Sequence, residues 1–156
     1  MDLKKDTTKE EIPQISFEEF LKREGELTYT NVGVSMMPLL RQGKDLFTVK
    51  RKGPERCRKG DVVLYRRRDD YVLHRIIEVR PEDYVILGDN CVLKEYGIRD
   101  RDILGVMTDY VREGRQHSTR EAGYRLYSFF VLYTIGARVF LRKFRSRAAG
   151  LVKKGR

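Results

Sequence analysis

The stretch DYVLHRIIEVR, Asp70 to Arg80, decides the fold. Read with a period of two, it puts Val72, His74, Ile76 and Glu78 on one face of a strand and Leu73, Arg75, Ile77 and Val79 on the other. Upstream, ELTYTNVGV, DLFTVKRKG and GDVVLYRRRDD share its wealth of β-branched and aromatic residues, as do DYVILGDN and ILGVMTDYVRE downstream. Gly-Lys-Asp, Gly-Pro, Lys-Gly-Asp, Asp-Asp and Pro-Glu-Asp separate these segments as turns. Residues 27–111 therefore predict a mainly β fold, a compact and mostly antiparallel domain.

The flanks read differently. Residues 1–14 are polar and have little to bury, which predicts an arm. SFEEFLKREG then offers Ser16 as a helix N-cap, Glu19 as its capping-box partner, an apolar stripe of Phe17, Phe20 and Leu21, and Gly25 as the stop. The chain thus divides into 1–26, arm and short helix; 27–111, β-domain; and 112–156, a basic, partly apolar helical tail. Leu126 to Ala137 is a largely apolar run bracketed by Arg125 and Arg138, shorter than the ~20 residues a membrane-spanning helix needs. After it, Val139, Phe140, Leu141 and Phe144 alternate with Arg142, Lys143, Arg145 and Arg147, a pattern suited to an anionic membrane surface. The other reading of the run is packing on the β-domain or on a partner subunit.

Charge sharpens this division. Of the 156 residues, 1–111 hold 21 Lys and Arg against 21 Asp and Glu, whereas 112–156 hold 12 against 2, so the whole formal charge of +10 belongs to the tail. Cys57 and Cys91 are too few for a disulfide framework and lack metal-ligand spacing with His74 and His117, so neither a metal nor another cofactor is expected. The charged N-terminus has no apolar segment of the secretory type, and a cytoplasmic place follows, with peripheral contact to the inner face of a membrane through the tail.

Two residues invite chemistry. In NVGVSMMPLLRQG, Asn31 to Gly43, Ser35 stands among apolar neighbours, either as a plain strand-end residue or as a nucleophile. A buried hydroxyl left unpaired costs roughly 1–3 kcal/mol, so it must be satisfied or aimed at something. As a nucleophile it needs a base, and His74 is the candidate: on an apolar strand face its imidazole stays neutral and can accept a proton. Taken alone, a strand histidine is more often structural, and Gly88-Asp89-Asn90 is ordinary turn chemistry, though an acid there could hold an imidazole in one tautomer.

In order along the chain, Ser35-Met36-Met37-Pro38, Gly60-Asp61-Val62-Val63, His74-Arg75, Gly88-Asp89-Asn90 and Ile103-Leu104-Gly105 resemble the signal-peptidase-type serine peptidase family over roughly residues 27–111. With His74 where some branches carry lysine, the chain resembles the Ser–His branch, the archaeal and endoplasmic-reticulum type. The resemblance implies the coiled β-fold shared with repressor-type autoproteases. It also implies Ser35 as nucleophile, His74 as general base, an acidic residue behind the histidine, for which Asp89 is slightly favoured, and Met36, Met37 and Pro38 at the substrate. Cleavage after small residues next to an apolar segment of a peptide or precursor protein is the implied reaction.

The departures are specific. A second family aspartate, six residues after Asp89, is Glu95 here, which makes Glu95 a competitor for the orienting role. Gly33 replaces a hydroxyl that helps hold the oxyanion in many members, leaving backbone N–H groups such as that of Ser35. Lys44 interrupts a Gly-Asp pair, Cys91 replaces an asparagine, and the N-terminal anchor of true signal peptidases is missing. Two other functions fit less of the pattern: an inactive relative that binds extended peptides by strand addition, and a basic nucleic-acid-binding regulator. The latter lacks a helix-turn-helix pattern and an aromatic-basic platform.

Overall fold

A computed structural model describes residues 15–154, with side chains as far as Leu141. The arm expected over 1–14 lies outside the described residues. Helix α1, Phe17–Glu24, starts with the expected capping box: Glu19 N–H donates to Ser16 Oγ and Ser16 N–H donates to Glu19 Oε2, both at 3.1 Å. Gly25 ends it in the left-handed conformation, φ 80°, which a glycine adopts without a Cβ clash.

Eight strands follow: β1 Glu26–Thr30, β2 Leu46–Arg51, β3 Val62–Arg67, β4 Asp70–Val79, β5 Tyr84–Leu87, β6 Glu95–Ile98, β7 Ile103–Arg112 and β8 Arg115–Ser118. They form one antiparallel sheet in the order β1-β2-β7-β3-β4-β5-β6, with β8 added to β7. Mainly β is thus the observed class. The sheet extends past the boundary expected at 111, because Glu113 and Gly114 both take positive φ, 53° and 74°, and turn β7 straight into β8. Neither β6 nor β8 has the apolar alternation that reveals a strand.

Alternation along β4 holds as far as Ile76. There a bulge shifts the register, so that Glu78 faces Val85 and Val79 faces Tyr84, one step out of the strict alternation read from the sequence. Val63, Tyr65, Ile76, Tyr84 and Ile86 form one buried cluster. Leu21 of α1 joins Met36, Leu39, Leu40, Val62, Leu64 and Leu73 in another. His74 and Arg75, adjacent in sequence, therefore point to opposite sides of β4.

Helix α2, Ala122–Lys154, packs its inner side on the domain, with Tyr124 and Val131 buried and Leu132, Ile135 and Val139 against Ile77, Val85 and Leu87. The apolar run Leu126 to Ala137 is thus divided between a docked and an exposed side. No helix among the described residues is long and apolar enough to cross a membrane.

Candidate active site

Ser35 sits in the connection between β1 and β2, and that loop is tied at both ends. Buried Asn31 donates from Nδ2 to Gly33 O at 3.1 Å and to Leu40 O at 3.3 Å. At the far end the fully buried Asp45 accepts the Arg41 N–H at 2.7 Å and the Arg41 Nη2 at 2.8 Å, and the guanidinium holds the Asp45 carboxyl below the usual carboxylate range. Met37–Pro38 is a cis peptide bond.

The middle of the loop is held by the turn after β5. Asn90 N–H donates to Ser35 O at 2.7 Å and Asn90 Nδ2 to Val34 O at 3.1 Å. Gly88 permits the approach. A Cβ there would stand 2.8 Å from Ser35 O, 2.7 Å from Cys91 Sγ and 3.0 Å from His74 Cδ2, closer than side chains tolerate. One missing methyl group thus lets the serine loop and the imidazole converge.

His74 is 5% exposed. Burial pushes its imidazole below the ordinary histidine value, partly opposed by the Glu95 carboxylate. Its Nδ1 lies 3.2 Å from the Tyr65 hydroxyl and 3.3 Å from Glu95 Oε1. Arg67 donates to the same Glu95 oxygen at 3.1 Å. Burial and the hydrogen bond to Glu95 raise the Tyr65 phenol far above its usual value, so it stays protonated. The Cδ2 edge of the ring is turned toward Gly88, whose missing side chain also makes room for Ser35 O.

Here the expectation that favoured Asp89 is corrected. Asp89 is engaged on the other side of β4, where Arg75 Nε and Nη2 grip its two carboxylate oxygens at 2.8 Å each. The Tyr127 hydroxyl donates to Asp89 Oδ2 at 2.9 Å and Arg138 donates to the Asp89 carbonyl, both from α2. A bidentate guanidinium beside a buried carboxylate outcompetes a weaker imidazole donor. Glu95, the longer acid on edge strand β6, is the one His74 meets.

The substrate-side expectation also changes. Met36 is fully buried in the core beside Leu39 and Leu40 and has no surface to offer a ligand. Ser35 and His74 share the wall of a cavity of about 300 Å³ with Asn31, Val32, Arg67 and Cys91; Met37 and Pro38 do not line it. Through Arg67, His74 and Cys91 this cavity adjoins a larger one of about 1020 Å³, lined also by Glu95, Tyr96 and Leu93. No hydrogen bond joins Ser35 Oγ to the imidazole among the described residues, an open geometry that bound ligands commonly tighten.

Four contributors escape a reading of the sequence for chemistry. Tyr65 becomes a neighbour of His74 only through the β3–β4 register, in which it opposes Val72. Arg67 looks like one of three consecutive surface arginines, and Gly88 and Asn90 like plain turn residues. Their role lies in contacts across the fold. Among the described residues no group of His, Cys, Asp and Glu could hold a metal ion, and neither Cys57 nor Cys91 is in a disulfide.

The arrangement can move a proton: a neutral imidazole, backed by a carboxylate at one nitrogen, shares a cavity with a primary hydroxyl held by its own backbone. Compared with known proteins, the chain matches no family model and no curated protein.

Proposed function

We propose that this chain is a serine endopeptidase of the signal-peptidase type, with Ser35 as nucleophile, His74 as general base and then acid, and Glu95 as the residue that orients His74. One observation carries the reading: the buried imidazole has a carboxylate at Nδ1 and shares the wall of one cavity with Ser35, the only serine among the described residues lining it.

In the reaction His74 Nε2 takes the Ser35 proton as Oγ attacks the scissile carbonyl. Glu95 stabilises the resulting imidazolium, and His74 returns the proton to the leaving amine. Water, activated by the same imidazole, then releases the acyl group and restores Ser35. Met37 N–H closes a turn onto Val34 O at 3.2 Å, which leaves the intervening Ser35 N–H outside it as an oxyanion donor. The larger cavity beside β6, an outer strand of the sheet, suits an extended peptide. The substrate is a peptide or precursor protein cut after a small residue. The place of action is the cytoplasm, with peripheral contact to the inner face of the membrane.

The test is cleavage of a mixed peptide library read by mass spectrometry. Wild type is expected to cut after small residues, and Ser35→Ala to cut nothing. Cleavage by Ser35→Ala at the wild-type rate overturns the assignment. Binding of extended peptides without cleavage by wild type would favour a non-catalytic peptide-binding relative, for which the same β6 edge is suited.

A further inference from the structure

Helix α2 carries two apolar sides, and the β-domain covers only one. Leu126, Phe129, Phe130, Tyr133, Phe140 and Leu141 are between 58% and 81% exposed. At about 100° per residue they fall within one stripe roughly 120° wide, opposite the docked side that bears Tyr124, Val131, Ile135 and Arg138. The docked side is pinned by polar contacts as well as packing: Arg75 donates to Ser128 Oγ at 2.8 Å and Tyr127 donates to Asp89. The orientation of the helix is therefore set by the domain, and the stripe faces outward. Phe129 and Tyr133 stack on it with ring centroids 6.2 Å apart.

A contiguous aromatic stripe of this extent marks an interaction surface. The charge of the same helix selects the occupant. Residues 142–154 hold six Lys and Arg and no Asp or Glu, while residues 1–111 are neutral overall. A second copy of the chain would bring its own cationic segment and gain nothing from this charge. An anionic bilayer supplies both an apolar interior for the rings and negative headgroups for the arginines. From Leu126 to Leu141 the stripe runs about 22 Å, a length that lies along a membrane surface without crossing it.

We propose that the outward side of α2 is a docking surface for an anionic lipid bilayer, with Phe129, Phe130, Tyr133 and Phe140 inserted at the level of the headgroups. This deepens the peripheral location proposed above and does not depend on the chemistry assigned to Ser35. Because α2 also grips Asp89, one residue before the Asn90 that holds Ser35, the site would be held close to the lipid.

The test uses full-length protein and sonicated vesicles. Wild type should co-sediment with vesicles of phosphatidylglycerol and phosphatidylcholine, at least tenfold more than with phosphatidylcholine alone, and 0.5 M salt should release most of it. The double variant Phe129→Asp, Tyr133→Asp should lose at least nine-tenths of this binding with unchanged thermal unfolding. A second measurement removes any dependence on folding of that variant. The chain contains no tryptophan, so Tyr133→Trp provides a single fluorophore whose emission should shift to the blue on anionic vesicles. No anionic-vesicle binding by wild type, or no blue shift in the Tyr133→Trp variant, would overturn the proposal. So would a wild-type dimer in solution that the Asp variant dissolves, which would assign the stripe to a second copy. Peptide cleavage in solution is read in parallel, so loss of lipid binding with cleavage intact, or the reverse, shows which of the two proposals has failed.

Discussion

On one side of β4, His74 meets Tyr65 and Glu95, the latter held by Arg67; on the other, the next residue, Arg75, meets Asp89, Tyr124 and Tyr127. The ingredients are nearly the same, a nitrogen base, a carboxylate and tyrosine hydroxyls, yet the access is opposite. Arg75 is sealed under α2, and its donors are used up on Asp89, Gly60 O, Ser128 and Tyr124. The Glu95 side chain keeps 22% of its surface and lines a cavity together with His74. A sealed ion pair can only position what surrounds it, whereas a half-open pair can take and return a proton. The carboxylate in the more recognisable motif therefore serves architecture, and the less conspicuous one stands where chemistry is possible.

The largest expected effect separates the two sides outright. Ser35→Ala and His74→Ala should each reduce peptide cleavage to background, and the double variant should lose no more than either single one, because the two act as a unit. Circular dichroism should show the sheet unchanged. Additive partial losses would break the comparison.

The two acids should fail in different ways. Glu95→Gln is expected to slow cleavage by about 10²–10⁴-fold with unfolding nearly unchanged, since the cost is a misoriented imidazole. Asp89→Asn leaves Arg75 buried without its charge partner and should lose about 3–5 kcal/mol in urea unfolding. The reverse assignment, rate loss without instability in Asp89→Asn, would return the orienting role to Asp89.

Gly88→Ala comes next. Its methyl group must displace Ser35 O, Cys91 Sγ or the imidazole, and a shift of about 1 Å at such a site can cost on the order of 10²-fold in rate. A smaller effect belongs to Tyr127→Phe, which removes one hydrogen bond from Asp89 and should lower stability by about 1 kcal/mol without moving the pH dependence of cleavage.

Much of the fold is legible in the sequence, for definable reasons. Ser16 and Glu19 announce α1 because the capping box is local chemistry, and β2 to β5 announce themselves because they are rich in β-branched, aromatic and other apolar residues, on both sides in β5. β6, EYGI, and β8, RQHS, do not, since edge position and pairing, not alternation, make them strands. Ser35 and His74 stand out from their setting in the sequence. Which acid serves His74 does not, because alternation separates His74 from Arg75 but is silent on where a turn fifteen residues away and an edge strand beyond it will land. Met36 illustrates the same limit: next to Ser35 in the chain, it turns into the core while its neighbour faces the cavity. Likewise the apolar run of α2 is visible as composition, but its division into a docked and an exposed side follows only from the surface that it meets.

That a neutral His74 backed by Glu95 activates Ser35 is tested by the pH dependence of covalent labelling with a fluorophosphonate, the adduct being mapped by tandem mass spectrometry. Burial lowers the His74 value, so the base is lost only as pH falls through a midpoint below the ordinary ~6.5 of histidine, and the rate rises as pH climbs through it. A single adduct on Ser35, with that midpoint and with a rate that collapses in His74→Ala, is the predicted result. Labelling of Ser35 at an undiminished rate in His74→Ala, or an adduct found on Cys91 and none on Ser35, would contradict it.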